Sequence, residues 1–169
     1  MGKQKYAFKD YNKESMARVL GKDISISTKH SVLICNALRN KPVKRAKALL
    51  ENVIEKREAI PYTRYNKDTA HKPGKIGPGK YPMKACGEIL ALLKSAVSNA
   101  QFKGLNTDRL EVVHVCAHMA SRPFHYGRQR RRLTKRTHIE IVLKEGLKKQ
   151  ESPDKKTEKK KKDNKEEKT

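Results

Sequence analysis

Residues 109–143, RLEVVHVCAHMASRPFHYGRQRRRLTKRTHIEIVL, decide the fold of this 169-residue chain. Their two ends, RLEVVHVCAHM (109–119) and THIEIVL (137–143), carry β-branched residues in partial alternation with polar ones, as strands do. The residues between them, 120–136, contain seven Lys or Arg and no acid. This order of strand, connection and strand predicts an extended β-hairpin, 109–143, with a cationic tip.

Three segments before the hairpin have the apolar spacing of helices. Ser27 is a suitable N-cap for a helix over 27–40, and Pro42 suits the first turn of a second helix. The second helix carries a periodic apolar stripe, which consists of Ala46, Leu49, Leu50, Val53 and Ile54. A third helix is predicted over 83–101, with a stripe of Cys86, Ile89, Leu90, Leu93, Val97 and Ala100.

The remaining elements complete an α+β architecture. ESMARVL (14–20) predicts a strand at a sheet edge, residues 23–26 an extended lead-in, and residues 58–82 a long polar connection. We therefore predict three helices packed on a small three-stranded antiparallel sheet. The residues expected in the core are Leu49, Leu50, Val53, Ile89, Leu93, Ile139 and Ile141.

The charge of the chain favours a polyanionic partner. The sequence has 41 Lys and Arg against 18 Asp and Glu, a net charge of +23. Such a charge favours binding to nucleic acid. The sequence contains no long apolar run, so a membrane partner is not indicated. Residues 1–143 hold +19 of this charge, so we place the folded domain at 1–144. Residues 145–169 form a Lys-rich tail that is expected to be disordered, because it has no large apolar residue after Leu147.

The glycine-rich stretch GKIGPGKY, residues 74–81, is one residue short of a nucleotide-binding loop. Its G-x-x-x-x-G-K pattern is followed by Tyr81, where a Ser or Thr would hold magnesium, and no buried strand precedes it. We predict no nucleotide site here. Lys72, Lys75 and Lys80 are interpreted as phosphate contacts to RNA, with a solvated flexible loop as the alternative.

His114, Cys116 and His118 alternate along a predicted strand and therefore share one face. Two His and one Cys fall short of the four ligands of a structural zinc site, and nothing in the sequence indicates the cleft of a Cys–His nucleophile. We predict no metal and no cofactor. Cys35, Cys86 and Cys116, with no visible export signal, indicate reduced thiols and a cytoplasmic location.

The connection within the hairpin is the strongest signal for RNA binding. Arginine pairs with phosphate in a bidentate manner and stacks on bases, and the flat side chains of Phe124, His125 and Tyr126 add stacking surface. The predicted contacts in this connection are Arg122, Arg128, Arg130, Arg131, Arg132, Lys135 and Arg136. Further contacts are predicted at Arg18, Lys22, Lys29 and His30.

Four stretches together resemble one known family. They are STKHSVLICNALRNKPVKRAKALLENVIEKREAIP (27–61), RYNKDTAHKPGKIGPGKYPMKA (64–85), AQFKGLNTDRLEVVHVCAH (100–118) and THIEIVL (137–143). They are similar to the first two helices, the insert and the final hairpin strands of the universal large-subunit ribosomal protein twenty-two family (seventeen in the older eukaryotic series), in its archaeal and eukaryotic branch. The resemblance spans residues 15–145, and HIEIVL and Gly127-Arg128 are its most specific parts.

The resemblance implies a non-enzymatic, rRNA-binding constituent of the large subunit of the cytoplasmic ribosome, with neighbouring large-subunit proteins as partners. It also implies that the hairpin lines the polypeptide exit tunnel and meets the nascent polypeptide. The tip residues concerned are Pro123, Phe124, His125, Tyr126, Gly127 and Arg128. Pro123, Gly127 and Arg128 match the hairpin motif of the family, whereas Phe124 stands where arginine is usual.

Two other classes of function remain as alternatives. A stand-alone RNA-binding or RNA-chaperone protein would have the same composition and charge. A nuclease would need clustered carboxylates or a base, and no acid occurs between Glu111 and Glu140, where the positive charge is densest.

Overall fold

In the computed structural model, which describes residues 6–146, three helices pack on one face of a three-stranded antiparallel sheet. The predicted α+β fold and its hairpin are confirmed. The elements in chain order are β1 (Met16–Ile24), α1 (Thr28–Leu38), α2 (Val43–Ile54), β2 (Ile60–Pro61), β3 (Gly79–Lys80), α3 (Met83–Phe102), β4 (Leu110–Met119) and β5 (Thr137–Glu145).

The last strand lies in the centre of the sheet, in the order β1-β5-β4. Ile141 in the middle of β5 pairs with Val19 of β1 on one side and with Val115 of β4 on the other. The first strand is therefore an edge strand, as predicted, although it runs on through the lead-in to Ile24. Because β4 and β5 are joined directly by residues 120–136, they form the predicted hairpin.

The core lies between the sheet and the helices. Helix α1 packs on β4, α3 packs on β1 and β5, and α2 packs on α3. The backbone of β1 comes close to α3 at Gly21, where an added Cβ atom would lie 2.6 Å from Cδ1 of Leu92. All seven residues predicted for the core are buried, namely Leu49, Leu50, Val53, Ile89, Leu93, Ile139 and Ile141.

Leu50 offers a direct test of this packing, because its side chain is fully buried in the core. We expect Leu50→Ala to lower the free energy of unfolding by about 2–5 kcal/mol, the usual range for a Leu that leaves a cavity. Urea denaturation followed by circular dichroism measures this loss. The control is Leu133→Ala, since Leu133 is 45% exposed in the hairpin and should change stability little. An unchanged urea midpoint for Leu50→Ala would contradict the described packing of α2.

The connection 58–82 is more ordered than the sequence predicts. It contains a small second sheet, in which Ile60 of β2 pairs with Lys80 of β3, and both Ile60 and Tyr62 are buried. Two-residue strands leave no periodic pattern in a sequence, so the sequence analysis, which describes 58–82 as a long polar connection, missed this pair.

The glycine-rich stretch closes on itself as a turn. Gly74 and Gly77 adopt φ angles of +96° and +61°, and the Lys72 N–H donates to the Gly77 carbonyl at 2.9 Å. A phosphate loop follows a buried strand. At that place this chain has only an isolated bridge, in which His71 pairs with Pro78. Between the turn and α3 lie β3 and Pro82, so the loop does not lead directly into a helix as a phosphate loop does.

The last strand ends later than the predicted domain boundary. Glu145 belongs to β5, pairs with Leu110 and donates its N–H to the Ser15 carbonyl at 3.1 Å. Strand β5 therefore includes Glu145, one residue beyond the predicted boundary at 144. The rest of the predicted tail, from residue 147 onward, lies outside the described residues.

Candidate nucleic-acid interface

The hairpin continues beyond its two strands as a hydrogen-bonded ladder. The Ala120 N–H donates to the Arg136 carbonyl (3.2 Å), and the Thr134 N–H donates to the Pro123 carbonyl (2.9 Å). Further out, Phe124 forms a bridge with Leu133. A short 3₁₀ turn at Gly127–Gln129, with Gly127 at φ +61°, reverses the chain at the end. The tip is therefore a backbone-paired hairpin rather than an open loop.

The side chains of the tip are free to meet a polyanion. Every residue from 121 to 133 is exposed, including the apolar rings of Phe124 and Tyr126. None of the ion pairs found within residues 6–146 involves a tip arginine. Unpaired guanidinium groups beside exposed rings match what single-stranded or irregular RNA requires for phosphate pairing and stacking.

A second basic surface lies at the base of the hairpin, where α1 begins. A cavity of about 540 Å³ opens there, and we call it the basic cavity. It is lined by Ser27, Thr28, Lys29, His30, Tyr62, Tyr65, Lys67, Lys80, Met119, Arg122, Lys135 and Arg136. It thus brings together six of the predicted contacts, which are Lys29, His30, Lys80, Arg122, Lys135 and Arg136.

Tyrosines that the sequence analysis did not select form part of the basic cavity. The Lys29 Nζ atom lies 5.3 Å from the ring centre of Tyr65, and the Lys80 Nζ atom lies 5.5 Å from that of Tyr62. The His30 ring meets Tyr62 edge-on at 5.8 Å. The only sequence signal for these residues is the mixture of Tyr with Lys and Arg in the connection, which does not indicate where the rings point.

The pKa of His30 reflects the environment of the basic cavity. Burial lowers the pKa of His30 below its ordinary value, and the positive charges of Lys80 and Lys135 lower it further. Burial and the two lysines therefore both disfavour a further cation at this position. The cavity is the kind of site that attracts a phosphate group.

RNA bound at the basic cavity should raise the pKa of His30, because phosphate charge offsets Lys80 and Lys135. The complex should then take up a proton from solution at a pH between the lowered pKa of the free protein and the higher pKa of the complex. NMR titration of the His30 ring protons, with and without an rRNA fragment, measures this change, and His30→Asn assigns the signal. A pKa that stays the same or falls on binding would place the RNA elsewhere.

The other predicted contacts lie apart from the basic cavity. Lys72 lies beside Tyr81, with Nζ 5.4 Å from the ring centre, in a separate depression of about 440 Å³. Lys75 is exposed in the glycine-rich turn, and Lys22 is exposed on β1.

Arg18 has structural partners on the opposite face of the sheet. Its guanidinium carbon lies 4.2 Å from the ring centre of Tyr6 and 4.4 Å from that of Tyr11. These contacts hold the N-terminal segment, residues 6–14, against the sheet. Arg18 is exposed, but cation–π packing between two rings is an alternative role to the predicted RNA contact.

The buried Glu140 secures the same N-terminal segment. Its side chain is 1% exposed and accepts hydrogen bonds from the N–H groups of Ala7 (2.8 Å) and Phe8 (3.2 Å). Nε2 of His114 lies 3.7 Å from the same carboxylate, and the His114 ring packs 5.2 Å from the ring of Phe8. His114 therefore faces protein groups, and no cluster within residues 6–146 groups three or more side chains that suit a metal ion.

Comparison with known proteins identifies the fold and its basic hairpin as those of one family. The sequence model of the family described as ribosomal protein L22p/L17e matches residues 19–144, which include all the helices, the hairpin and most of β1. The chain belongs to this family.

Three archaeal relatives illustrate the similarity to the L22p/L17e family, and each is named large ribosomal subunit protein uL22. That of Methanosphaera stadtmanae is 39% identical over 83% of this chain and 96% of its own. That of Archaeoglobus fulgidus is 36% identical over 84% and 96%, and that of Methanopyrus kandleri is 40% identical over 78% and 88%.

Membership of the L22p/L17e family makes the chain a ribosomal protein and not an enzyme. The thiols are consistent with a structural role, because burial raises the pKa of Cys35 and of Cys86 to about 12, far from the thiolate form that a nucleophile needs. Among residues 6–146, no helix is both long enough and apolar enough to cross a bilayer.

Proposed function

We propose that this protein binds large-subunit rRNA as a structural constituent of the large ribosomal subunit and that its hairpin lines the polypeptide exit tunnel. The ribosomal role follows from membership of the L22p/L17e family, and as a ribosomal component the protein belongs to the cytoplasmic ribosome. Large-subunit rRNA and neighbouring large-subunit proteins are its partners, and the alternative of a stand-alone RNA chaperone is not favoured.

The single observation that carries the rRNA interface is the distribution of cations around the hairpin. Exposed arginines that form no ion pair within residues 6–146 occupy the tip, and the basic cavity gathers cations from α1, β3 and the hairpin at its base. Phosphate neutralisation dominates the affinity of such surfaces, while RNA shape supplies specificity. We assign the rRNA contact farthest from the core to the tip, and the rRNA contact at the base of the hairpin to the basic cavity.

The tunnel assignment rests on the family resemblance, and the shape and chemistry of the tip support it. The paired backbone from Ala120 to Arg136 carries the tip away from the core, because none of its side chains between 121 and 133 is buried. A slender basic projection of this kind can pass between rRNA helices, with phosphates neutralised on its flanks. The exposed rings of Phe124 and Tyr126 would then face the nascent polypeptide.

Sucrose-gradient fractionation of cell extract tests the ribosomal assignment directly. We expect the protein, detected by antibody, to sediment with large subunits and whole ribosomes. Ribonuclease treatment should release it to light fractions, because rRNA holds it in the particle. Protein found mainly free at the top of an untreated gradient would favour the RNA-chaperone alternative.

A further inference from the structure

The basic cavity combines two kinds of group that a regular RNA duplex does not satisfy together. Cations line it, and so do tyrosine rings at its wall and mouth. We propose that the basic cavity binds one unpaired rRNA nucleotide, turned out of its helix, with the phosphate among the lysines and the base against Tyr65. This inference rests on the proposed function, because the nucleotide belongs to the rRNA.

The size of the cavity suits a single nucleotide. Its volume of about 540 Å³ falls in the range of pockets that enclose small molecules, about 300–1,000 Å³. A duplex presents its phosphates on a convex surface and keeps its bases stacked inside. An unpaired nucleotide can instead enter a concave site and place its base on an aromatic ring.

The cations of the cavity converge from elements that are distant in sequence. Lys29 comes from α1, Lys80 from β3, and Lys135 and Arg136 from the returning arm of the hairpin. Nη1 of Arg136 donates to the Asp23 carbonyl at 2.8 Å, which fixes the guanidinium while leaving its other donors. Among the described residues 6–146, no carboxylate lines the cavity, so a phosphate would meet attraction from several sides. Burial lowers the pKa of His30, and the positive charges of Lys80 and Lys135 lower it further.

The aromatic groups distinguish a nucleotide from a bare phosphate. Tyr65 is 48% exposed, so a ligand can reach its side chain, and Lys29 lies beside the ring. Tyr62 is buried and forms a fixed wall with His30. Stacking on an exposed ring is tolerant of base identity, and its loss typically weakens binding by roughly ten-fold.

An acidic segment of a neighbouring ribosomal protein is the competing occupant. Carboxylates would satisfy Lys29, Lys80 and Lys135 but would offer no flat surface to stack on the exposed Tyr65. A nucleotide uses both the cations and the ring. The contents of the cavity therefore favour RNA over an acidic peptide.

Photocrosslinking of the full-length protein to large-subunit rRNA that contains 4-thiouridine and 6-thioguanosine tests the site. After digestion, mass spectrometry should find a nucleotide attached to Tyr65 or an adjoining cavity residue, and sequencing should show that this nucleotide is unpaired. Adducts confined to the hairpin tip or to residues 72–75 would overturn the cavity proposal while leaving rRNA binding intact. Absence of any rRNA binding would overturn the proposed function itself. In assembled subunits, a cross-link from Lys29 or Lys80 to an acidic segment of another protein would overturn the proposal in favour of that segment.

A substitution at Tyr65 provides an independent test. The probes are two RNA hairpins that differ only by one bulged uridine, and fluorescence anisotropy measures their affinity for the full-length protein. We expect wild type to prefer the bulged RNA, Tyr65→Ala to lose roughly ten-fold for it alone, and Tyr65→Phe to retain the preference. Phe102→Ala is the matched control and should keep the preference, because Phe102 is a 95% exposed ring at the end of α3 that does not line the basic cavity. Equal binding of the two RNAs by wild type, or equal losses for both RNAs in Tyr65→Ala, would contradict the proposal.

Discussion

Changing Arg128, Arg130, Arg131 and Arg132 together to alanine should weaken rRNA binding about a thousand-fold in low salt, at about 1 kcal/mol for each lost phosphate contact. The four side chains are exposed, and none takes part in an ion pair found within residues 6–146. Each phosphate that the protein neutralises contributes about 0.7–0.9 to the slope of log affinity against log salt. The slope should therefore flatten by about three, as measured by filter binding of an rRNA fragment between 50 and 200 mM salt.

A matched variant separates the position of these charges from their number. Changing Lys159, Lys160, Lys161 and Lys162 to alanine removes the same net charge from the C-terminal region. If the hairpin is the main phosphate contact, this variant should bind far more tightly than the arginine variant. Equal losses in the two variants would mean that total charge, and not the hairpin, determines binding. Thermal unfolding of the arginine variant should match wild type, because the changed side chains are exposed.

The long elements were predictable from sequence because each repeats a pattern over several turns or residues. Leu49, Leu50 and Val53 are buried as their spacing in α2 requires, and Ile139 and Ile141 are buried as alternation in β5 requires. The short pair β2 and β3 was missed, since two residues cannot show a period. The buried Tyr62 was therefore placed in a solvated connection.

The sequence analysis selected basic residues of the candidate site, but it could not predict how they are arranged in space. Lys29, Lys80 and Lys135 were selected as basic residues, yet their meeting at one cavity depends on packing between α1, β3 and the hairpin. Glu140 is another residue whose surroundings could not be predicted from the sequence. A polar residue in an alternating strand is expected to face solvent, but the N-terminal segment covers it and donates two hydrogen bonds to it.

Replacing residues 124–133 with Asn-Gly should leave the fold intact and remove the hairpin from the exit tunnel. Pro123 and Thr134 already share a hydrogen bond at 2.9 Å, and Asn-Gly suits a two-residue turn between paired strands. The removed residues are exposed, so the melting temperature should change little. Arg122 and Lys135 remain, which preserves the lining of the basic cavity.

Assembly of the shortened protein into subunits should persist, because the basic cavity, the half-buried Lys72 and the exposed Lys75 still offer phosphate contacts. Electron cryo-microscopy of large subunits that carry the variant should then show a wider tunnel, with density missing where the wild-type tip lies. The matched control is Phe124→Arg, which alters the chemistry of the tip and restores the residue usual in the family without changing its length. Its density should trace the wild-type path.

The position of the tip in wild-type subunits decides between two interpretations of the hairpin. If the tip lies in the tunnel, rRNA on both flanks neutralises the seven Lys and Arg of residues 120–136, a segment that has no acid. Phe124 and Tyr126, which are exposed, then face the passing polypeptide. If the tip lies on the outer surface of the subunit, the shortened variant leaves the tunnel unchanged and the tunnel assignment is wrong. The rRNA contacts would survive that result, because the cations at the base of the hairpin do not depend on where the tip ends.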